Sequence, residues 1–245
     1  MIRTLLPAAA ALALAAPAIG QTLDSAILDD PARPAEERAQ DEARHVLEVY
    51  EFWGITPGMT VADVFPGEGY NTHVLSRAVG SDGKVYGVLG FYEGLSFGEE
   101  DAPYDQRYRE RVAAAVLDNV EIVSDLADVP AGSVDVAVLV RNYHDVGWVF
   151  EGTSRVETVQ ALWNMLKPGG VVGIVEVATD REGWDEETHR LNEAVVIEDF
   201  TLGNFELAAR SDMLANPDDD HSTTGFEAGR HTMDRYLLKF VKPAE

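Results

Sequence analysis

Val61-Ala62-Asp63-Val64-Phe65-Pro66-Gly67-Glu68-Gly69-Tyr70 joins a short apolar run to a turn that carries two glycines. Thr60 to Phe65 is compatible with a buried parallel strand. Tyr70 to Val79 then places Val74, Leu75, Ala78 and Val79 at helical spacing, and Gly80 supplies the residue type that tolerates a left-handed stop. Strand, glycine turn and helix are one half of a parallel βαβ unit.

The same alternation extends outward. Upstream, Ala35 to Trp53 has the spacing of one amphipathic helix, with Ala39, Ala43, Val46, Leu47, Tyr50 and Trp53 on one side and Gly54 at its end. Gln21 to Pro34 is polar and reads as a flexible lead-in. Downstream, Lys84–Leu89, Val120–Val123, Val134–Val140 and the β-branched run Val171–Val177 read as strands, with helices over Tyr108–Leu117 and Val156–Leu166 and a tight turn at Lys167-Pro168-Gly169-Gly170. Strands alternating with helices imply a parallel sheet covered on both faces. The end differs: after a helix over Glu186–Asp199, the strands Phe205–Ala209 and Arg235–Lys242 are separated by a long polar loop, so they can pair antiparallel.

The 245 residues, 46% of them apolar, suffice for one α/β domain, placed at residues 35–245. Residues 1–20 read as a signal peptide: Met1-Ile2-Arg3 is a cationic start, Leu5–Ala16 an apolar stretch too short to span a bilayer, and Ala18-Ile19-Gly20 a small-residue cleavage site. A periplasmic or secreted location follows, with no stable membrane span after cleavage. The absence of cysteine fits an oxidising compartment. A formal net charge of −24 repels phosphate backbones and sets nucleic acid aside as a partner. The oligomeric state is not legible in the sequence.

Glycines let the backbone approach a ligand closely, and the helix that follows offers unpaired N–H groups and a positive dipole end. The segment Val61–Tyr70 resembles the first motif of class I S-adenosylmethionine-dependent methyltransferases. Together with Asn142-Tyr143-His144-Asp145, Leu166-Lys167-Pro168-Gly169-Gly170 and Asp234-Arg235-Tyr236-Leu237-Leu238-Lys239-Phe240, in that order, it makes residues 35 to 243 similar to a group of predicted exported bacterial methyltransferases. The resemblance implies a Rossmann-like sandwich with a seven-stranded, mostly parallel sheet and an antiparallel last strand. It implies S-adenosyl-L-methionine as cofactor and a small molecule as substrate. Gly67 and Gly69 would line the methionine moiety, Asp63 would order the turn or accept from the ammonium, Asp125 would reach the adenine, and Tyr70 and Asn142 would complete the site. Two positions depart from the pattern. Phe65 stands where the first glycine is usual, and Leu89 where an acidic residue commonly holds the ribose, leaving Glu93 as the nearby carboxylate.

Methyl transfer from a sulfonium mainly needs alignment and water exclusion. His144 has the reference pKa of a general base, and Asp145 could orient it or act instead; against this stands a His144 satisfied by a backbone carbonyl and an Asp145 that caps a helix. Glu176 could face the same crevice or pair with an arginine. Asp125 could instead cap the turn before Ala127. His189-Arg190 falls on the expected helix, and Arg38, Asp41, Arg44 and His45 on the first helix read as solvated pairs. The Asn216–His221 loop lacks the spacing of a calcium loop, and its residues are ordinary turn formers, so no metal is expected. Two other readings remain: an exported binding protein that keeps the fold without the reaction, and a nicotinamide-dependent oxidoreductase, disfavoured because the turn lacks the third glycine of that fingerprint.

The signal reading makes a direct prediction. Mass spectrometry of the exported protein should find Gln21 at the amino terminus, and an intact Met1 on a membrane-bound product would overturn it.

Overall fold

The computed structural model describes residues 22–96, 102–150, 152–225 and 233–244; the expected signal peptide lies outside the described residues. Three short helices, α1 (Ala35–Arg38), α2 (Asp41–Arg44) and α3 (Val46–Trp53), precede β1 (Thr60–Val64) and α4 (Tyr70–Val79). There follow β2 (Lys84–Val88), α5 (Tyr104–Ala114), β3 (Val120–Val123), β4 (Val134–Val140), α6 (Arg155–Met165), β5 (Leu166–Val177), α7 (Glu193–Leu202), β6 (Glu206–Ser211) and β7 (Arg235–Val241). The seven strands form one sheet in the order β3-β2-β1-β4-β5-β7-β6. The first five pair in parallel, and β7 runs antiparallel to both β5 and β6. The antiparallel last strand is therefore inserted beside β5, and β6 forms the exposed edge.

Both faces are covered, as near-continuous apolar strands require. On one face Val46, Val49, Tyr50 and Trp53 of α3 and Val74, Leu75, Ala78 and Val79 of α4 pack on Val61, Val85, Val136, Val138, Val175 and Leu237. On the other, Val159, Leu162 and Met165 of α6 and Val196 and Phe200 of α7 pack on Ala62, Val64, Ala137, Leu139, Val172, Ile174 and Leu238. At the chain's end Lys242 Nζ donates to the carbonyls of Trp163 and Leu166, both at 2.8 Å, closing the end of α6 with a cation.

Four local expectations need correction. The expected single helix over 35–53 is broken into three, with His45 in the left-handed region (φ 47°) between α2 and α3. The break accompanies a bidentate pair between Asp41 and the buried Arg33, at 2.6 and 2.7 Å. Residues 22–34, expected to be flexible, dock through that pair, through the buried Leu23 and through Asp30, which meets His73 Nε2 at 3.0 Å and accepts from Arg77 Nε at 2.6 Å. Hydropathy carries no signal for such polar docking.

The expected helix over Glu186–Asp199 is replaced at its start by a two-residue ribbon, Trp184–Asp185 against Arg190–Leu191, and α7 begins only after Asn192, whose side chain accepts from Ala194 N–H at 3.0 Å. Thr188 Oγ1 donates to Asp185 Oδ2 at 2.7 Å, one of the local side-chain bonds that compete with helix. His189 and Arg190 thus lie in the ribbon rather than on a helix. Finally, Lys167–Gly170 does not stand between elements but lies inside β5, where its pairing with β4 is irregular, Gly169 has φ 78°, and Gly169 N–H and Gly170 C=O pair with Lys242 at 2.8 Å.

Trp53 spans α3 and the sheet: its indole N–H donates to Leu238 C=O at 3.0 Å, and its ring lies over Gly173, where an added Cβ would come within 2.3 Å of it. Gly173→Ala should therefore destabilise the chain by about 1–3 kcal/mol through overpacking. A urea midpoint equal to the parent's would show that the indole can move.

Candidate active site

The site is built where the chain leaves β1, β4 and β5. After β1 the backbone turns through Phe65 (φ 57°), Gly67 (φ 57°) and Gly69 (φ 87°) into α4. Asp63 is wholly buried beneath this turn and accepts from Thr72 Oγ1 at 2.5 Å; Thr72 Oγ1 in turn lies 2.9 Å from Tyr108 Oη. Burial pushes the Asp63 carboxyl up to about 7, against the lowering effect of the Thr72 hydroxyl and backbone N–H. These contacts tie Asp63 to the first turn of α4. Tyr70 opens α4, donates to Asp41 Oδ1 at 2.5 Å and carries the Arg44 guanidinium 3.9 Å above its ring.

The two glycines differ. A Cβ at Gly69 would meet the Tyr108 ring at 2.9 Å, whereas a Cβ at Gly67 would meet nothing within 4 Å. Gly67 is the one open to an approaching molecule.

After β4 the segment Asn142-Tyr143-His144-Asp145 is buried, the last three residues as a 3₁₀ turn. Asn142 Nδ2 donates to Val64 C=O and Phe65 C=O, both at 2.8 Å, which ties this segment to the glycine turn. Asn142 Oδ1 is a buried acceptor without a hydrogen-bond partner among the described residues. Glu176, fully buried near the end of β5, lies beneath the turn: Oε1 accepts from Tyr143 N–H at 2.7 Å, and Oε2 meets His144 Nδ1 at 2.6 Å. Burial lowers the His144 pKa, but the Glu176 charge and hydrogen bond outweigh it, so the imidazole is raised above its ordinary value. The reciprocal effect overcomes burial to hold Glu176 below the usual carboxylate range. The partner found for His144 Nδ1 is neither a backbone carbonyl nor Asp145, and that found for Glu176 is not an arginine: the two pair with each other. Asp145, considered as the orienting group, lies on the other ring nitrogen, 3.4 Å from Nε2.

Asp63, Gly67, Gly69, Tyr70, Asn142, His144 and Asp145 are thus drawn to the carboxyl ends of β1 and β4, where open α/β sheets place their ligands. Asp125 is exposed after β3, and its carboxylate accepts from Ala127 N–H at 2.8 Å while Asp128 accepts from Asp125 N–H, so it caps its own turn. Leu89 is fully buried. Glu93 is exposed and accepts from Ser124 Oγ at 2.8 Å. Between the ends of β1, β2 and β4 an aromatic stack fills space: Phe91 lies 4.3 Å from Phe65 and 4.4 Å from Phe150, centroid to centroid.

On the α3 side a small cavity of about 30 Å³ is lined by Arg44, Tyr50, Tyr70, Asn71, Arg141 and Arg235, among others. Arg235 is buried with its Nε unpartnered among the described residues. Sequence reasoning missed Thr72, Tyr108, Trp184 and Arg235. Thr72 could have been found as the hydroxyl in the first turn after the glycines; Trp184 joins the site only through the ribbon, which had no sequence signal.

No protein-family model matches the chain, and no curated protein matches its sequence. Solved structures do match over most of its length. A SAM-dependent methyltransferase from Aquifex aeolicus is 18% identical, with 89% of this chain and 98% of that one aligned at a TM-score of 0.60. Geranyl diphosphate C-methyltransferase from Streptomyces coelicolor A3(2), solved with Mg²⁺, geranyl diphosphate and S-adenosyl-L-homocysteine, is 14% identical over 90% and 88% at 0.59. The [4+2]-cyclase SpnF is 16% identical over 84% and 82% at 0.58. The fold is therefore the Rossmann-like methyltransferase sandwich, and the cyclase is a reminder that one fold carries several chemistries.

The raised Asp63 carboxyl has a consequence for stability. A carboxyl whose folded pKa exceeds the unfolded value loses stabilising proton uptake as pH rises from about 4 to 7. Asp63→Asn lacks that loss, so its stability relative to the parent should improve between pH 4 and pH 8, by up to about 4 kcal/mol. Urea unfolding at the two pH values measures it; a difference independent of pH would show that Asp63 is ionised throughout.

Proposed function

We propose that the chain is an S-adenosyl-L-methionine-dependent methyltransferase acting on a small molecule. The observation that supports this most is the Glu176–His144 pair, buried at the carboxyl end of β4 and joined by Asn142 to an open glycine turn. In the methionine half of a bound cofactor, Gly67 allows close approach, and Asn142 Oδ1 is a buried acceptor suited to the ammonium. When bound, the cofactor supplies a methyl carbon already activated by its sulfonium. Glu176 accepts from His144 Nδ1–H, which leaves Nε2 to take a proton from the acceptor. Trp184, stacked on His144 at 5.4 Å, and Trp148 beyond it shield that nitrogen from water. The reading includes the export signal, which puts enzyme and acceptor in the periplasm or the medium.

The adenosine half fits less well. No carboxylate ends β2, and Phe65, Phe91 and Phe150 pack where the ribose and base would lie. That stack favours a second reading, a protein that keeps the fold without the reaction.

Calorimetry separates the two. Under the first reading the parent binds S-adenosylmethionine or S-adenosylhomocysteine, Phe91→Ala binds it tighter by making room, and Gly67→Ala weakens it, at a strain cost of about 1 kcal/mol from the positive φ. His144→Ala should keep cofactor affinity and lower methyl transfer to a responsive acceptor by roughly 10²- to 10⁴-fold. No heat of binding from either the parent or Phe91→Ala would establish the second reading.

A further inference from the structure

His144, Asp145 and His189 converge from two separate parts of the chain: the turn after β4 and the tip of the Trp184–Leu191 ribbon. One ligand-type atom from each lies within 4.8 Å of the others. Asp145 Oδ1 is 3.4 Å from His144 Nε2 and 3.6 Å from His189 Nε2. Both separations exceed the roughly 2.7–2.9 Å of a charge-assisted hydrogen bond. They are ion-pair separations that also suit a shared ion: ligands about 2.1 Å from a tetrahedral centre sit about 3.4 Å apart, and from an octahedral centre about 3.0 Å.

The surroundings are those of a supported ligand set. Glu176 Oε2 holds His144 Nδ1 at 2.6 Å, which fixes the tautomer that leaves Nε2 free to coordinate. The His144 and His189 rings stand at 81° to each other, and Trp184 contacts both, stacked on one and edge-on to the other. His144 and Asp145 are buried while the His189 side chain is 34% exposed, so solvent reaches the cluster at His189.

We propose that His144, Asp145 and His189 bind one four-coordinate divalent transition-metal ion of the zinc type, positioned by Glu176 and roofed by Trp184. Two imidazoles and one carboxylate are a zinc-class donor set, and the fourth position is left for water or an oxygen of a substrate. The proposal departs from the sequence expectation of no metal, at a place away from the acidic loop considered for one. That loop is otherwise engaged, since Asp219 accepts from both terminal nitrogens of Arg190, at 2.8 and 3.0 Å, and from Asp234 N–H at 2.6 Å. With an ion present, His144 Nε2 would be a ligand and could not itself take the acceptor's proton; the ion would instead make an oxygen at the open position lose its proton more readily to solvent.

The test uses the purified full-length chain, stripped by chelation and titrated with Zn²⁺ or Co²⁺. One Zn²⁺ per chain should be retained, and Co²⁺ should give the strong visible absorption of a four-coordinate ion. His189→Ala, at a partly exposed side chain, and Asp145→Asn should each weaken Zn²⁺ binding at least 100-fold. Glu176→Gln, which touches no ion, should weaken it about 10- to 100-fold. Circular dichroism confirms that each variant is folded. The proposal is overturned by a parent that retains no Zn²⁺, by undiminished binding in the Asp145→Asn/His189→Ala double variant, or by the weak spectrum of six-coordinate Co²⁺. None of these readouts involves S-adenosylmethionine, so failure of the cofactor reading and failure of the metal site are separately visible.

Discussion

Parallel strands end with carbonyls that the ladder no longer satisfies, and at the end of β1 two of them are taken by one side chain. Asn142 donates both amide hydrogens, to Val64 and to Phe65. Those two acceptors fix which end of the amide is nitrogen and tie the exit of β4 to the exit of β1. Everything at the candidate site hangs from that tie. It holds the glycine turn above Asp63, places Tyr143 and His144 over Glu176, and leaves one buried oxygen without a partner among the described residues. Losing the amide would leave two buried carbonyls without donors, at roughly 1–3 kcal/mol each.

Phe65 shows what the tie allows. An aromatic residue in the left-handed region costs about 1–2 kcal/mol, and here it stands where the family pattern has a glycine. The strain is offset by contact: the ring packs on Phe91, close enough over Gly90 that a Cβ there would come within 2.3 Å of it. The same packing fills the space between the ends of β1, β2 and β4 with aromatic rings. Leu89, the other departure from that pattern, is fully buried beside Gly90.

The acidic character of the chain conceals a small set of buried cations. Arg33 is clasped by Asp41 and Arg190 by Asp219, and Arg235 donates to Ala43 C=O beside the cavity. Breaking one such buried pair costs about 3–5 kcal/mol, far more than a surface pair contributes. With 43 acidic residues against 19 basic ones, the sequence offers many partners for each arginine and no means of choosing among them. The docking of residues 22–34 and the breaks in the first helix follow from those choices.

The sequence by itself determined the layered architecture. The strands β1 to β5, the helices α4 and α6, the glycine turn and the antiparallel ending are all written in periodicities of 2 and 3.6 and in turn residues, which act over a few neighbouring positions. It also placed Asn142 and His144 at a strand's carboxyl end, because topology alone puts ligands there. Tertiary structure decided the rest: that Glu176 and not Asp145 holds His144, that Asp125 caps its own turn, that Tyr108 covers Gly69 and leaves Gly67 open, and that a ribbon replaces the start of a helix and brings His189 to His144. Those outcomes depend on pairs far apart in the chain, such as His144 and Glu176 across 32 residues. Polar pairing at that separation has no period, so only the packed chain can select it.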